Sequence, residues 1–237
     1  MTNRWFLTDP PDDCDHVLLC FPYSGCGASM FRSWPDRVGD IALVPLHLPG
    51  RETRMGEPHY GTYERLAEQM TAELGPHLDR DFSVFGHCGG ALAAFEFARR
   101  MASDAKAPTT CFISSQVAPD DGPYGRFLDM GTDELRVEVV RMLGLVKPAK
   151  RLVDFFVKVL VDDLAANRAY RLPRTPVDSF AIRAIGWSGD VEIPPGLMAG
   201  WAHWGRSTPV VLDGDHHAFI KAPGALLDAF QTGIRGG

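Results

Sequence analysis

A cysteine set among glycines is the residue of this sequence best placed to do chemistry. Gly86-His87-Cys88-Gly89-Gly90 follows an apolar run and precedes an alanine-rich amphipathic stretch. In the pattern Gly-x-nucleophile-x-Gly the nucleophile sits on a sharp strand-to-helix turn, and the small flanking residues let strand and helix approach. The helix amino end favours a thiolate, and the amide after the nucleophile points at a developing oxyanion. We therefore predict Cys88 as a nucleophile and Gly89 as an oxyanion donor, with a merely packing cysteine as the alternative.

Candidates for an acid and a base follow later apolar runs. Asp190 comes after one such run, and His216 and His217 follow the last one. In sites built on this turn, the nucleophile, acid and base occur in that order along the chain. Asp190 is the predicted acid, because Asp213 and Asp215 lie too close in sequence to the histidines to reach behind a ring. Only one of the adjacent histidines can face the nucleophile, and the alternative for either is a solvated turn residue.

A glycine-rich loop follows the first apolar run, which ends in Phe21-Pro22-Tyr23-Ser24-Gly25. A site for acyl transfer needs a second oxyanion amide from a loop after an early strand. Ser24 is predicted to supply it, with Gly25 as the alternative. A phosphate-binding loop is disfavoured because its lysine is missing. Tyr23, Gly25 and His87 are predicted to contact the substrate.

Apolar runs alternate with amphipathic stretches, as in a parallel sheet flanked by helices. The pattern predicts strands at 17–23, 41–48, 82–85, 110–115, 180–187 and 209–212, and helices at 62–78, 91–101, 133–142, 152–170 and 224–234. The stretch 120–174 has no convincing strand and is predicted to be a helical lid over the site, with ordinary packing helices as the alternative. The predicted class is α/β, an α/β-hydrolase fold with a mostly parallel sheet in a single domain, 1–237.

Composition narrows the classes of partner. The chain has 237 residues, 45% of them hydrophobic, and a net charge of -6, which argues against nucleic acid and weakly against an anionic membrane surface. No apolar stretch has the length of a signal peptide or a membrane span, so a cytoplasmic protein is expected. Five cysteines without a pairing pattern predict reduced thiols, and no Cys/His set has zinc-like spacing.

Several segments carry motifs that occur together in one enzyme family. The loop Phe21–Gly25 is similar to F-P-[HYF]-[AS]-G, Leu46–Glu52 to a segment containing L-P-G-R, and Ser114–Pro119 to S-G-x-x-A-P. Asp163–Arg171 is similar to the end of the family's lid, and Gly214-Asp215-His216 to its G-[GD]-H motif. On these motifs the chain resembles, over nearly its whole length, the type II thioesterases of nonribosomal peptide and polyketide assembly lines.

The resemblance implies particular roles and a particular substrate class. It implies His216 as the base and Asp190 as the acid. The implied substrate is an acyl group held as a thioester on the phosphopantetheine arm of a carrier protein, which docks near the lid. No organic cofactor or metal is implied, and a monomer is expected. The sequence departs from the family at Cys88, where the family has Ser, at Gly89, where it has Met or Leu, and at His217-Ala218, where it has two aromatics.

A cysteine nucleophile leaves the outcome of the reaction open. An acyl-cysteine is itself a thioester, so the acyl group stays activated and can pass to water, to another thiol or to an amine. Hydrolysis is the first hypothesis and transfer between carriers the second. A small-ester or lactone hydrolase of the dienelactone type and a catalytically idle binding module are further alternatives. Phe155 and Phe156 are predicted to line the acyl pocket or else to pack in the core, and Cys26 to be a packing residue or a disulfide partner of Cys88.

Overall fold

Seven strands form one sheet at the centre of the computed structural model, which describes residues 3–104 and 106–236. They are β1 (His16–Phe21), β2 (Arg37–Val38), β3 (Ile41–Pro45), β4 (Asp81–His87), β5 (Thr110–Ser114), β6 (Val177–Trp187) and β7 (Gly205–Leu212). Their order across the sheet is β2-β3-β1-β4-β5-β6-β7, and only the β2–β3 pair is antiparallel. The prediction of a mostly parallel α/β sheet is confirmed.

Five α-helices accompany these strands in the described part of the chain. They are α1 (Tyr63–Leu74), α2 (Gly89–Asp104), α3 (Thr132–Leu143), α4 (Lys150–Ala169) and α5 (Gly224–Arg235). Each overlaps a predicted helix, because apolar residues at a period near 3.6 form a continuous buried stripe. The sequence pattern missed β2, which has only two residues. It also missed the first three residues of β6, among which Asp178 and Ser179 are polar and exposed.

Apolar side chains cover both faces of the sheet. In β4, Phe82 and Val84 join the core on the side of α1 and α2, while Phe85 joins the core on the side of α5. This alternation is the period of two expected of a strand, and it buries β4 on both faces. The carboxyl end of β4, where Cys88 follows, therefore lies in the middle of a rigid sheet.

Helices α3 and α4 form an insertion between β5 and β6 that carries an apolar cluster of its own. Leu135 and Val139 of α3 pack with Val153, Val157 and other residues of α4 in this cluster. The stretch 120–174 contains no strand in the structure. The insertion therefore has a small core of its own, although Ala166 of α4 also joins the core on the side of α1 and α2, and its role as a lid stays a prediction.

None of the helices in residues 3–104 and 106–236 combines the length and apolarity that crossing a bilayer requires.

Candidate active site

The turn that carries Cys88 is strained and tightly enclosed. Cys88 has a φ of 51°, a left-handed value that costs energy for a residue other than glycine. Its amide donates a hydrogen bond to the Ser114 carbonyl at 2.9 Å. A Cβ on Gly86 would lie 2.2 Å from the Gly90 carbonyl oxygen, and one on Gly90 would lie 2.5 Å from the Pro22 oxygen. The glycines that flank the turn are therefore required by close backbone approach, as the sequence pattern predicted.

Asp190 orients His216 through a short hydrogen bond. The Nδ1–H of His216 donates to Asp190 Oδ2 at 2.9 Å. Asp190 also accepts from the Ser115 hydroxyl at 2.7 Å and from the amides of Glu192 and Ile193 at 2.8 and 2.9 Å. Burial raises the pKa of this carboxyl, but these hydrogen bonds outweigh burial and hold its pKa below the usual value. The ionised acid fixes the ring so that Nε2 is available on the other side.

His216 and Cys88 lie together on the wall of one small chamber. Burial opposes the charged ring, but hydrogen bonds to Asp190 and to the Cys88 thiol outweigh burial and raise the pKa of His216 to about 10. Such a ring is protonated at neutral pH. His217 also lines the chamber, but the contact with Asp190 belongs to His216, so the geometry favours His216 as the base.

Two more polar groups surround the His216 ring. His87 is buried, with Nε2 at 3.4 Å from His216 Nε2 and Nδ1 at 2.9 Å from the Ser114 hydroxyl. Burial lowers the pKa of His87 well below its usual value, so its ring is neutral. The structure thus places His87 behind His216 and not on the chamber wall, where a substrate contact had been predicted. Glu192, which the sequence analysis missed, has Oε2 at 3.8 Å from His216 Nε2; its position two residues after Asp190 is the only signal.

The glycine-rich loop brings Ser24, and not the Gly25 amide, to the nucleophile. Ser24 lines the chamber that contains Cys88. The amide of Gly25 instead donates to Asp163 Oδ2 at 2.7 Å. A Cβ on Gly89 would lie 2.2 Å from Ser24 Oγ, so the loop touches the first residue of α2. Ser24 and Gly89 therefore remain the candidate oxyanion pair, because the Gly25 amide, the alternative donor, is already hydrogen-bonded to Asp163.

Asp163 of α4 is the second residue that the sequence analysis did not assign to the site. Its buried carboxylate accepts from Arg51 at 2.8 and 3.0 Å, and from His59 and Tyr60 at 2.7 Å each. With the bond from Gly25, these contacts fasten the insertion to the oxyanion loop. Burial raises the pKa of Asp163, but the Arg51 guanidinium and the hydrogen bonds lower it well below its usual range. A carboxylate on the buried face of an amphipathic helix was the available signal.

Three cavities adjoin the site. The chamber at Cys88 has a volume of about 20 Å³. A cavity of about 540 Å³ lies beyond Tyr23 and is lined by Gly25, Phe155 and Phe156, so the structure does not bring these three predicted substrate contacts to Cys88. Cys26 also lines this larger cavity and is a free thiol. A third cavity, of about 600 Å³, shares Tyr124–Arg126, Leu128 and Glu192 with the chamber.

Within the described residues, no group of three or more His, Cys, Asp or Glu side chains is arranged to hold a metal ion. The absence of a cofactor stays a prediction.

Gly89 gives a test of the oxyanion geometry. Gly89→Ala is expected to lower kcat/KM for an acyl thioester by about 10-fold to 10²-fold, because the new Cβ would push Ser24 away from the donor position. Steady-state kinetics of purified variants would measure this loss. Ser24→Ala removes the hydroxyl that the Cβ meets, so Gly89→Ala combined with Ser24→Ala should recover activity relative to Gly89→Ala alone. Equal activity in Gly89→Ala and the unmutated enzyme would contradict this geometry.

Comparison with known proteins identifies the class that this sheet and site define. Residues 16–233 match the model of the thioesterase domain family. The chain is 29% identical to the gramicidin S biosynthesis protein GrsT of Aneurinibacillus migulanus, across 98% of this chain and 94% of that protein. It is 34% identical to the RedJ thioesterase from the prodiginine biosynthetic pathway of Streptomyces coelicolor, with a TM-score of 0.78 over 95% of this chain and 89% of RedJ.

The fold is shared with a further solved structure, the type II thioesterase BorB from the borrelidin biosynthetic cluster. BorB superposes with a TM-score of 0.83 over 99% of both chains at 22% identity, which shows the fold alone. Fold and site together define an α/β-hydrolase. The chain belongs to the thioesterase domain family.

Proposed function

We propose that this chain hydrolyses acyl groups carried on the phosphopantetheine arm of a carrier protein, through an acyl-Cys88 intermediate. The observation that carries the proposal is the arrangement of Cys88, His216 and Asp190, in which the thiol and the carboxylate together raise the pKa of His216 to about 10. The relatives GrsT and RedJ, which belong by name to biosynthetic pathways, support a carrier-bound substrate. The proposal includes action as a monomer in the cytoplasm.

The first half of the reaction is proposed to start from a Cys88 thiolate beside a protonated His216. The Cys88 thiolate attacks the thioester carbonyl carbon, and the amides of Ser24 and Gly89 receive the negative oxygen. As the intermediate collapses, the bond to the pantetheine sulfur breaks, and the His216 imidazolium gives its proton to that sulfur. The products of this half are acyl-Cys88, a neutral His216 and a free pantetheine thiol.

The second half depends on the charge that acylation removes. Acylated Cys88 is no longer an anion, so one of the groups that raise the pKa of His216 is lost and the ring becomes a better proton acceptor. Neutral His216 takes a proton from water, the hydroxide attacks the acyl carbon, and the free acid leaves. Cys88 departs as a thiolate beside a protonated His216, which restores the starting ion pair.

The insertion 120–174 is proposed to act as the lid. Leu164 and Asn167 of α4 lie on the chamber wall with Cys88, so the helix closes one side of the site. Asp163 of the same helix holds the oxyanion loop. Movement of the part of the insertion before Asp163 would admit the arm without disturbing that loop.

Transfer to a second carrier is the other candidate, and it is favoured by the thiol itself. An acyl-cysteine has nearly the energy of the incoming thioester, so return to another thiol is not uphill. A carrier loaded with radiolabelled acyl group, mixed with enzyme and an unlabelled acceptor carrier, separates the two candidates. Free acid as the sole labelled product supports hydrolysis, and label on the acceptor supports transfer.

The Cys88→Ser variant is expected to release the same free acid at a kcat/KM lower by about 10²-fold, because a hydroxyl is a weaker nucleophile than a thiolate and must lose its proton to His216 during the attack. Product analysis by chromatography measures this. Intact mass spectrometry should show an acyl adduct on the unmutated enzyme and on Cys26→Ala, but none on Cys88→Ala. An adduct that persists in Cys88→Ala would remove Cys88 from the mechanism. If the ratio of hydrolysis to transfer is higher in Cys88→Ser than in the unmutated enzyme, transfer is favoured as the reaction of the unmutated enzyme.

A further inference from the structure

We infer that Tyr23 sets the length of acyl chain that this enzyme accepts, by closing the chamber at Cys88 off from a larger apolar cavity. The inference rests on the proposed function and deepens it, because it names the substrate class as short acyl groups. Tyr23 lines both the chamber that contains Cys88 and the cavity on its far side. It is therefore a common wall of the two spaces.

The chamber itself is too small for a long chain. A volume of about 20 Å³ is close to what a single water molecule requires. An octanoyl chain has six carbons more than an acetyl group, so it needs far more space than the chamber offers. Long chains therefore need a route out of the chamber, and the side chain of Tyr23 stands in one such route.

Several contacts hold Tyr23 in place as a fixed wall. Its ring makes edge contacts with Phe219 at 5.9 Å and with His87 and His217 at 6.3 Å between ring centroids. The residue is 9% exposed. These contacts hold the ring in its place, so Tyr23 forms a steric barrier between the two spaces.

The cavity beyond Tyr23 has the character of an acyl pocket. Its volume of about 540 Å³ lies in the range of small-molecule sites. Its apolar lining comes largely from α4, through Leu152, Phe155, Phe156 and Val159, with Met30 and Ile220 on other sides. Burial of methylene groups against such side chains is favourable. Once the wall is removed, an acyl chain attached at Cys88 can extend into this space.

The arm reaches the chamber from another direction. In a thioester the acyl chain and the sulfur substituent are on opposite sides of the carbonyl carbon. The third cavity, of about 600 Å³, adjoins the chamber along Tyr124–Arg126 and Leu128 and carries the charged side chains of Arg126, Asp129, Arg168 and Glu192. A polar approach suits the amides and phosphate of the arm. The apolar cavity beyond Tyr23 is then left for the acyl chain.

The test is the chain-length profile of kcat/KM with acyl-N-acetylcysteamine thioesters from acetyl to decanoyl. The unmutated enzyme is expected to lose at least about tenfold between butanoyl and octanoyl, the lower end of what one misplaced methylene costs in an apolar pocket. Tyr23→Ala should gain at least about tenfold on octanoyl and decanoyl. Tyr23→Leu, a milder truncation, should move the optimum in the same direction and serves if Tyr23→Ala does not fold.

Two matched variants distinguish the wall from other effects. Tyr23→Phe keeps the ring and loses only the hydroxyl, so it should retain the unmutated chain-length profile. Val159→Phe fills the larger cavity. Combined with Tyr23→Ala, it should cancel the gain on long chains. On its own it should leave the chain-length profile unchanged, because Tyr23 already closes that cavity. An unmutated enzyme that accepts decanoyl as well as acetyl, or truncated variants with an unchanged profile, would overturn the inference. Absence of turnover at every chain length, with carrier-bound substrates also inert, would instead overturn the proposed function.

Discussion

Asp190→Asn is expected to lower kcat/KM by about 10³-fold and to move the alkaline limb of its pH profile to lower pH. The carboxylate accepts the Nδ1–H of His216 at 2.9 Å and is one of the two groups that raise the pKa of that ring to about 10. An asparagine amide can present an N–H to the same nitrogen, which stabilises the wrong tautomer. Losses of about 10⁴-fold accompany such a change in serine triads. A thiol needs less activation, so the smaller loss is expected here.

The direction of the pH effect follows from which form of His216 is competent. In the proposed mechanism the free enzyme attacks as a thiolate beside an imidazolium, and kcat/KM reports the ionisations of the free enzyme. Activity should therefore fall as pH rises through about 10, where the ring loses its proton. Burial lowers the pKa of the ring, and the hydrogen bond to Asp190 is the largest of the causes that raise it, so without this carboxylate the ring loses its proton at a lower pH. The alkaline limb must therefore move to lower pH.

A neighbouring carboxylate provides the matched control for this result. Glu192 Oε2 is 3.8 Å from His216 Nε2, a longer contact than the hydrogen bond that His216 donates to Asp190. Glu192→Gln should leave the alkaline limb closer to its original position than Asp190→Asn does. Rates of acyl thioester turnover between pH 6 and 11, with circular dichroism to confirm folding, measure both variants. Coincident alkaline limbs in Asp190→Asn and the unmutated enzyme would remove Asp190 from its role.

The parts of the site that local patterns encode could be predicted from sequence. The turn at Cys88 needs glycines on both sides because backbone atoms approach within contact distance there, and that need is visible as a spacing. Asp190 and His216 follow apolar strands in the order that a parallel sheet requires. The parallel sheet itself follows from alternating apolar runs and amphipathic helices. Each of these features depends on residues that are close together in the chain.

Features that depend on contacts across the chain were not readable in the same way. Asp163 and Gly25 are 138 positions apart, and nothing local to either one shows that they bond. Phe155 and Phe156 lie on an amphipathic helix, but which cavity they line depends on how α4 lies over the loop. His87 belongs to the motif, yet the twist of the turn sends its ring behind His216. Each of these contacts depends on how elements that are distant in sequence pack against one another.

The connection between α4 and the oxyanion loop leads to the second large effect. Asp163→Asn is expected to lower the free energy of unfolding by about 3–5 kcal/mol, the usual cost of leaving one member of a buried ion pair without its partner. The side chains of Arg51 and Asp163 are only 3% and 2% exposed, so water cannot replace the lost carboxylate. The substitution keeps the shape of the side chain and removes its charge. Urea unfolding followed by tryptophan fluorescence measures the loss.

The adjacent residue on the same helix is a matched control. Asp162 pairs with Lys158 on a more exposed part of α4. Asp162→Asn should therefore cost under about 1 kcal/mol, as exposed ion pairs do. Arg51→Met combined with Asp163→Leu should recover part of the stability lost in Asp163→Asn, because neither charge is then left unpartnered. Similar losses in Asp162→Asn and Asp163→Asn would show that the buried pair carries no special weight.

Acid provides an independent check on the same network. The pKa of Asp163 is lower in the folded protein than the ordinary value near 3.8, so its contribution to stability is complete above that value and is lost as pH falls through the folded pKa. Asparagine has no such dependence. The difference in unfolding free energy between the two proteins should therefore be constant near neutral pH and should narrow below about pH 4.

Because Asp163 also accepts the amide hydrogen bond of Gly25, Asp163→Asn should lower kcat as well, through a looser oxyanion loop. A loss of stability without any loss of kcat would mean that the loop keeps its geometry without α4.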